Sequence, residues 1–159
     1  FGVNIKSISP TPSLMAVHQL TWRATASGIE DEMILAEALA TLIGDEEAVE
    51  IERTTSYHNS PIHMISAKLT RSGPAQKALA NIGKENLQVI LSELSTRLDE
   101  ANNIHFRLDQ GDLINGKLTL STSGGLATVK GQTKIQVYPG QTPLEEAQST
   151  IRKAIAICE

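Results

Sequence analysis

The sequence predicts an α+β fold: a single antiparallel sheet with helices packed on one of its faces. Three observations carry this. Several short segments alternate apolar and polar residues, the period of a strand that is wet on one side. Between them lie stretches with helix-capping signals and apolar residues at helical spacing. Neighbouring strand segments are joined by short turns, which leave no room for a crossover helix and therefore imply antiparallel pairing. A chain of 159 residues with 40% apolar and 20% charged residues is in the range of one globular domain. Residues 1–14 read as a loose leader and residues 15–159 as the domain.

"VHQLTWRATA", Val17 to Ala26, is rich in strand formers. Ser27-Gly28-Ile29-Glu30 has the form of a capping box, and Leu35, Leu39, Leu42 and Ile43 give the following helix its buried stripe, closed by Gly44. "EAVEIERTT" alternates and predicts a strand. "SYHNSP" is turn chemistry, and Ile62–Thr70 is the next strand. Ser72-Gly73-Pro74 starts a helix that Asn81-Ile82-Gly83 interrupts, and a second runs from Lys84 to Leu98. "NNIHFRLDQGDLINGKLTL", Asn102 to Leu120, predicts a strand, a tight turn at Asn115-Gly116 and a further strand "KLTLS". Ser123-Gly124-Gly125 marks another turn. "LATVKGQTKIQVY" alternates most cleanly, with Gly131 the candidate for a bulge. Thr142-Pro143-Leu144-Glu145 is a second capping box, before a helix lined by Leu144, Ala147, Ile151, Ala154, Ile155 and Cys158.

Charge is unevenly spread. The net charge is −4, from 14 basic and 18 acidic residues, which weighs mildly against a nucleic-acid binder taken whole. Residues 27–52, however, hold nine acids and no base, whereas residues 53–84 hold five bases and no acid. Aromatics are only 3% of the chain, so the core is aliphatic and base stacking of the RRM or OB type is disfavoured. Cys158 alone excludes an internal disulfide or a cysteine-based zinc site, and suits a reducing cytoplasm. No apolar run reaches the roughly 18 residues of a membrane span.

The four histidines, His18, His58, His63 and His105, fall into no metal-binding spacing. No nucleophile elbow or phosphate-binding glycine loop is present either. The sequence therefore predicts no catalytic residues, no metal and no cofactor. The basic residues are more coherent. Arg107, Lys130 and Lys134 project from the polar faces of their strands, and Lys117 precedes the apolar Leu118 and joins them. Together they predict a positive stripe for RNA phosphates, with Arg23 and the His58-Asn59 tip as secondary contacts. Two alternatives stand beside this: a protein-interaction module docking through its acidic 27–52 region, and an unrecognised hydrolase using His105 and Asp109.

Several segments, in order, resemble one family. "VHQLTWRATA…IEDE" resembles its opening strand and acidic helix start, "YHNSPI" its G-N-P-I-type loop, and "RLDEANNIHFRLDQGDLINGKLTL" its R-L-D-E…R-L-D-K-Q…G-K-L-x-L segment. The family is that of the archaeal RNA-binding-domain proteins described as predicted exosome subunits, and the likeness runs from about Val17 to Val137. The resemblance implies a fold like that of the 5S-RNA-binding large-subunit ribosomal protein. It also implies a non-catalytic role in cytoplasmic RNA processing or decay, without a cofactor, with RNA and proteins of the RNA-processing machinery as partners.

Overall fold

The alternation in the first strand decides which face of the sheet is covered. Leu20, Trp22, Ala24 and Ala26 are buried, while Arg23 and Thr25 between them are exposed. The structure, a computed structural model, describes residues 17–26, 29–55, 61–121 and 127–158. The described strands are β1 (Val17–Ala26), β2 (Val49–Thr55), β3 (Pro61–Leu69), β4 (Asn103–Asp109) and β5 (Thr128–Ile135). The helices are α1 (Ile29–Ile43), α2 (Ser72–Ala80), α3 (Lys84–Ser92), α4 (Leu94–Arg97), α5 (Gln110–Ile114) and α6 (Pro143–Cys158). A 3₁₀ turn, Glu46–Ala48, precedes β2.

The strands form one five-stranded sheet in the order β2-β3-β1-β5-β4, with every pair antiparallel. This is the α+β architecture that the alternation predicts. Helices cover one face: α1 packs on β3, β1 and β2, α2 packs on β1, and α6 lies over α2 and α3. Apolar residues of β1, β3, β4 and β5 meet the helices in one core, where Leu35, Leu39, Ile65, Leu79, Leu87, Ile90, Ile104 and Ile151 have no exposed surface. β2 is the exception. Its side chains are largely exposed, including Ile51, as befits an edge strand packed mainly by α1.

The helix ends follow their signals. Gly44 takes φ +78 and donates to the Ala40 carbonyl at 2.8 Å, stopping α1. Asn81, in the break between α2 and α3, donates its side-chain amide to the Leu42 carbonyl at 2.8 Å, satisfying one of the carbonyls that α1 leaves open. Gly83 at φ +100 allows the turn from α2 into α3. The capping box at Ser27, the turn at residues 56–60 and the turn at Ser123 lie outside the described residues, as does the leader.

Three elements differ from the sequence expectation. The helix expected from Lys84 to Leu98 is split at Glu93 into α3 and α4. The hairpin expected around Asn115-Gly116 is not formed. Asp109 instead accepts a hydrogen bond from the Asp112 N–H at 2.8 Å and caps the short helix α5, which ends at Asn115 and Gly116. "KLTLS" is therefore not a full strand. Only Thr119–Ser121 run beside β4, through the Asp109 N–H to Thr119 carbonyl bond, the Ser121 N–H to Arg107 carbonyl bond and a Leu108–Leu120 bridge. Third, Gly131 is not a bulge. Pairing is regular there, and the irregularity in β1–β5 lies between Val17 and Gln19. Gly131 sits in register between Trp22 on β1 and Phe106 on β4, whose rings meet over it at 5.1 Å between centroids.

Two polar contacts fasten the sheet edges. Glu32 of α1, only 2% exposed, receives both Arg53 Nε at 2.9 Å and Arg53 Nη2 at 3.0 Å from β2. His63 Nδ1 of β3 lies 2.9 Å from the same carboxylate, a close polar contact. The Arg53 hydrogen bonds hold the Glu32 carboxyl below the usual carboxylate range in spite of its burial.

At the other edge, Asp99 organises the turn into β4. Its Oδ1 accepts from the Ala101 and Asn103 N–H groups at 2.9 Å each, and its Oδ2 lies 2.6 Å from His105 Nε2. Asn102 takes φ +65 inside this turn, a conformation asparagine tolerates. Partial burial pushes the Asp99 pKa up, but the His105 bond and the Asn103 and Ala101 amides outweigh it and bring the value down from 3.8 to about 2. A depressed folded pKa stabilises above the unfolded value and is lost as pH falls through the folded one. Asp99→Asn should therefore cost about 1 kcal/mol at neutral pH, discounted because the side chain is 38% exposed. Urea denaturation should show that gap closing between about pH 4 and pH 2; a gap independent of pH would refute the assignment.

Candidate functional site

The uncovered face of the sheet is polar, and its side chains are set by strand register. Arg23 on β1 lies opposite Lys130 on β5, and Lys130 lies opposite Arg107 on β4. The three cations thus form one row across three neighbouring strands, spanning about 10 Å at two strand spacings. All three are exposed, and none of their side chains has a hydrogen bond or ion pair among the described residues. Like charges directly opposite each other destabilise a sheet.

The row continues through Ser66 on β3 to Glu50 on β2, so it ends against an acidic edge strand. Arg23, Glu50, Glu52, Met64 and Ser66 line a shallow depression at that junction. The next row contains Lys68, Thr21, Gln132 and His105 in register. Lys134, four residues beyond Lys130 on β5, lies opposite Gln19 and Asn103 on the same face.

Register thus gathers Arg23, Lys130 and Arg107, with Lys134 on the same face. Lys117 is not brought into the row. It lies outside the strands after α5, with its N–H on the Asp112 carbonyl at 2.8 Å, because the strand expected to carry it is replaced by that helix. His58 and Asn59 lie outside the described residues. Sequence reasoning passed over Lys68, although the polar parity of β3 marks it as a residue of the open face.

The open face carries no stacking platform from the sheet's own aromatics. Trp22 and Phe106 point into the helix-covered core with 0% and 2% exposure. The remaining described aromatic, Tyr138, lies beyond the end of β5.

The hydrolase alternative needs His105 and Asp109 to meet, and they do not. They stand four residues apart on one strand, roughly 13 Å. His105 is held by Asp99, and Asp109 caps α5. Among the described residues no three His, Cys, Asp or Glu side chains are grouped to hold a metal, and no helix is long and apolar enough to cross a membrane. A groove of about 480 Å³ opens on the helix layer between α1 and the loop after α5. It is lined by Ile34, Ala38, Leu42, Leu113 and Leu118, with Glu37 its one titratable residue.

These features define a single-sheet α+β protein with a cationic row on an uncovered sheet face. The chain belongs to the RNA-binding family: a family model described as RNA binding matches residues 19–135, well over half of it. It is similar to the solved structure of Mth689, a DUF54 protein from Methanothermobacter thermautotrophicus, at 26% identity and a TM-score of 0.65, over 88% of this chain and 98% of that one. The DUF54 protein AF2318 from Archaeglobus fulgidus shares the fold at 23% identity and a TM-score of 0.68, over 87% and 99% of the two chains. A UPF0201 protein from Methanococcus jannaschii shares it at 10% identity and a TM-score of 0.54, over 84% and 98%. No curated protein matches the chain.

Proposed function

We propose that this protein is a non-catalytic RNA-binding protein that contacts RNA phosphates through the open face of its sheet. The observation that carries this reading is the Arg23–Lys130–Arg107 row: three cations in register, none of them in an ion pair among the described residues. Guanidinium and ammonium groups held this way donate to phosphate oxygens and release condensed counterions. The family match supports RNA as the ligand. Lys134, Lys117 and the His58-Asn59 tip extend the contact surface in this proposal, and the resemblance supports a cytoplasmic role in RNA processing or decay alongside exosome components.

Fluorescence anisotropy with labelled RNA at low salt tests the reading. Binding is expected to weaken linearly in log–log form as salt rises, with a slope of about 0.7–0.9 per phosphate contact. If neither single-stranded nor structured RNA binds at low salt, the proposal fails.

A second reading has its own observation. The apolar groove on the helix layer adjoins Glu37 of α1 and Asp45 and Glu46 just beyond its end, with Ile34 and Ile114 partly exposed at its rim. A basic, apolar segment of a protein partner would suit it. Pull-downs with and without nuclease separate the readings, because partners bridged by RNA disappear on digestion.

A further inference from the structure

The residues between the cations point to the kind of RNA. We propose that the open face recognises double-helical RNA, reading its sugar–phosphate backbone across the minor groove. This rests on the RNA-binding reading above and adds the shape of the ligand.

Along β5 the open-face residues after Thr128 are Lys130, Gln132 and Lys134 in turn. Lys130 belongs to the three-cation row, and Lys134 stands roughly 13 Å further along the strand. Between them runs the row Lys68, Thr21, Gln132 and His105, whose two central members, Thr21 and Gln132, are neutral polar groups and whose β3 end is the cation Lys68. On the two central strands, β1 and β5, the pattern is therefore cations, then hydroxyl and amide groups, then the Lys134 cation. Duplex RNA presents a matching sequence of groups. Its minor groove is wide and shallow, with a phosphate backbone on each side and 2′-hydroxyls exposed between them, and proteins recognise it by phosphate and 2′-hydroxyl contacts. Arg23, Lys130 and Arg107 would follow one backbone and Lys134 would meet the other. Gln132 and Thr21, both partly exposed, would face the 2′-hydroxyls, which accept and donate hydrogen bonds as they do.

The alternative ligand, a single strand, is held chiefly by stacking its bases on exposed rings. Here the two aromatic side chains of the sheet are turned into the core and locked against each other over Gly131. Among the described residues of the strands, the ring that remains on this face, His105, is tied to Asp99. The acidic residues Glu50 and Glu52 of β2 set the limit of the footprint, since phosphates avoid that edge.

The test is a comparison by anisotropy of an RNA duplex of about 16 base pairs, the length spanned by a double-stranded-RNA-binding domain, an unstructured single strand of equal length, and the DNA duplex of the same sequence. The full chain should bind the RNA duplex about 10-fold or more tighter than either. Gln132→Ala should weaken RNA-duplex binding about fivefold, the effect of one hydrogen bond, with an unchanged salt slope and little effect on DNA. A single strand that binds as tightly as the duplex, or a DNA duplex that matches the RNA duplex, overturns the inference and leaves RNA binding itself standing. Absence of binding to every RNA overturns both.

Discussion

Gly131→Ala is expected to destabilise the protein by about 3 kcal/mol, the upper end of the overpacking range, and to lower Tm by about 10 °C for a chain of this size. The position is in the middle of β5, flanked in register by Trp22 and Phe106. A methyl group built on Gly131 falls far inside van der Waals contact with Phe106 Cε1 and Cδ1 and with Trp22 Cζ3. Two opposing effects favour alanine. It restricts the unfolded chain, worth about 0.4–1 kcal/mol, and it fits a strand better than glycine. Neither matches the displacement of two buried rings, so the clash decides the sign. Thermal and urea unfolding measure it. Phe106→Leu makes room, so the double variant should be more stable than the sum of the two single effects predicts, by about 0.5–3 kcal/mol. Simple additivity would show that the rings do not exclude the methyl group.

The same residue shows where sequence reasoning stops. A glycine in a strand signals either a bulge or a close approach of other groups, and the local pattern favours neither. The choice depends on Trp22 and Phe106 arriving from two other strands, which only pairing register reveals. Faces, by contrast, were legible: alternation placed Val129, Thr133 and Ile135 inward and Lys130 outward, because the strand period is local. Which cations become neighbours was not. Arg23 and Lys130 are distant in the chain, and nothing near either of them encodes their pairing. Lys117 joins the stripe in the sequence because it precedes the apolar Leu118, in a strand expected to follow the Asn115-Gly116 turn. The competing signal was present in Asp109 and Asp112, a side-chain acceptor three residues before the N–H it caps, and that signal prevailed in α5. The family resemblance was readable because it rests on contiguous motifs rather than on pairing.

Replacing Arg23, Lys130 and Arg107 together with alanine is expected to reduce RNA affinity about 100-fold, roughly 1 kcal/mol for each exposed contact. The slope of log affinity against log salt should fall by about two to three units. Protein stability should move the other way. The three side chains face like-charged neighbours across β1–β5 and across β5–β4, and each such pair costs roughly 0.2–1 kcal/mol. Their removal should therefore leave Tm unchanged or raise it. That opposition is the useful part of the experiment. A structural role for the row predicts that both stability and affinity fall, whereas a binding role predicts that affinity falls alone. The charge-reversed control at the other end of the row, Glu50→Lys, should tighten RNA binding, because it extends the cationic line across Ser66 to the edge strand. Anisotropy and thermal unfolding on the same samples give both readouts. An unaltered salt slope in the triple variant would move the RNA contact away from this face.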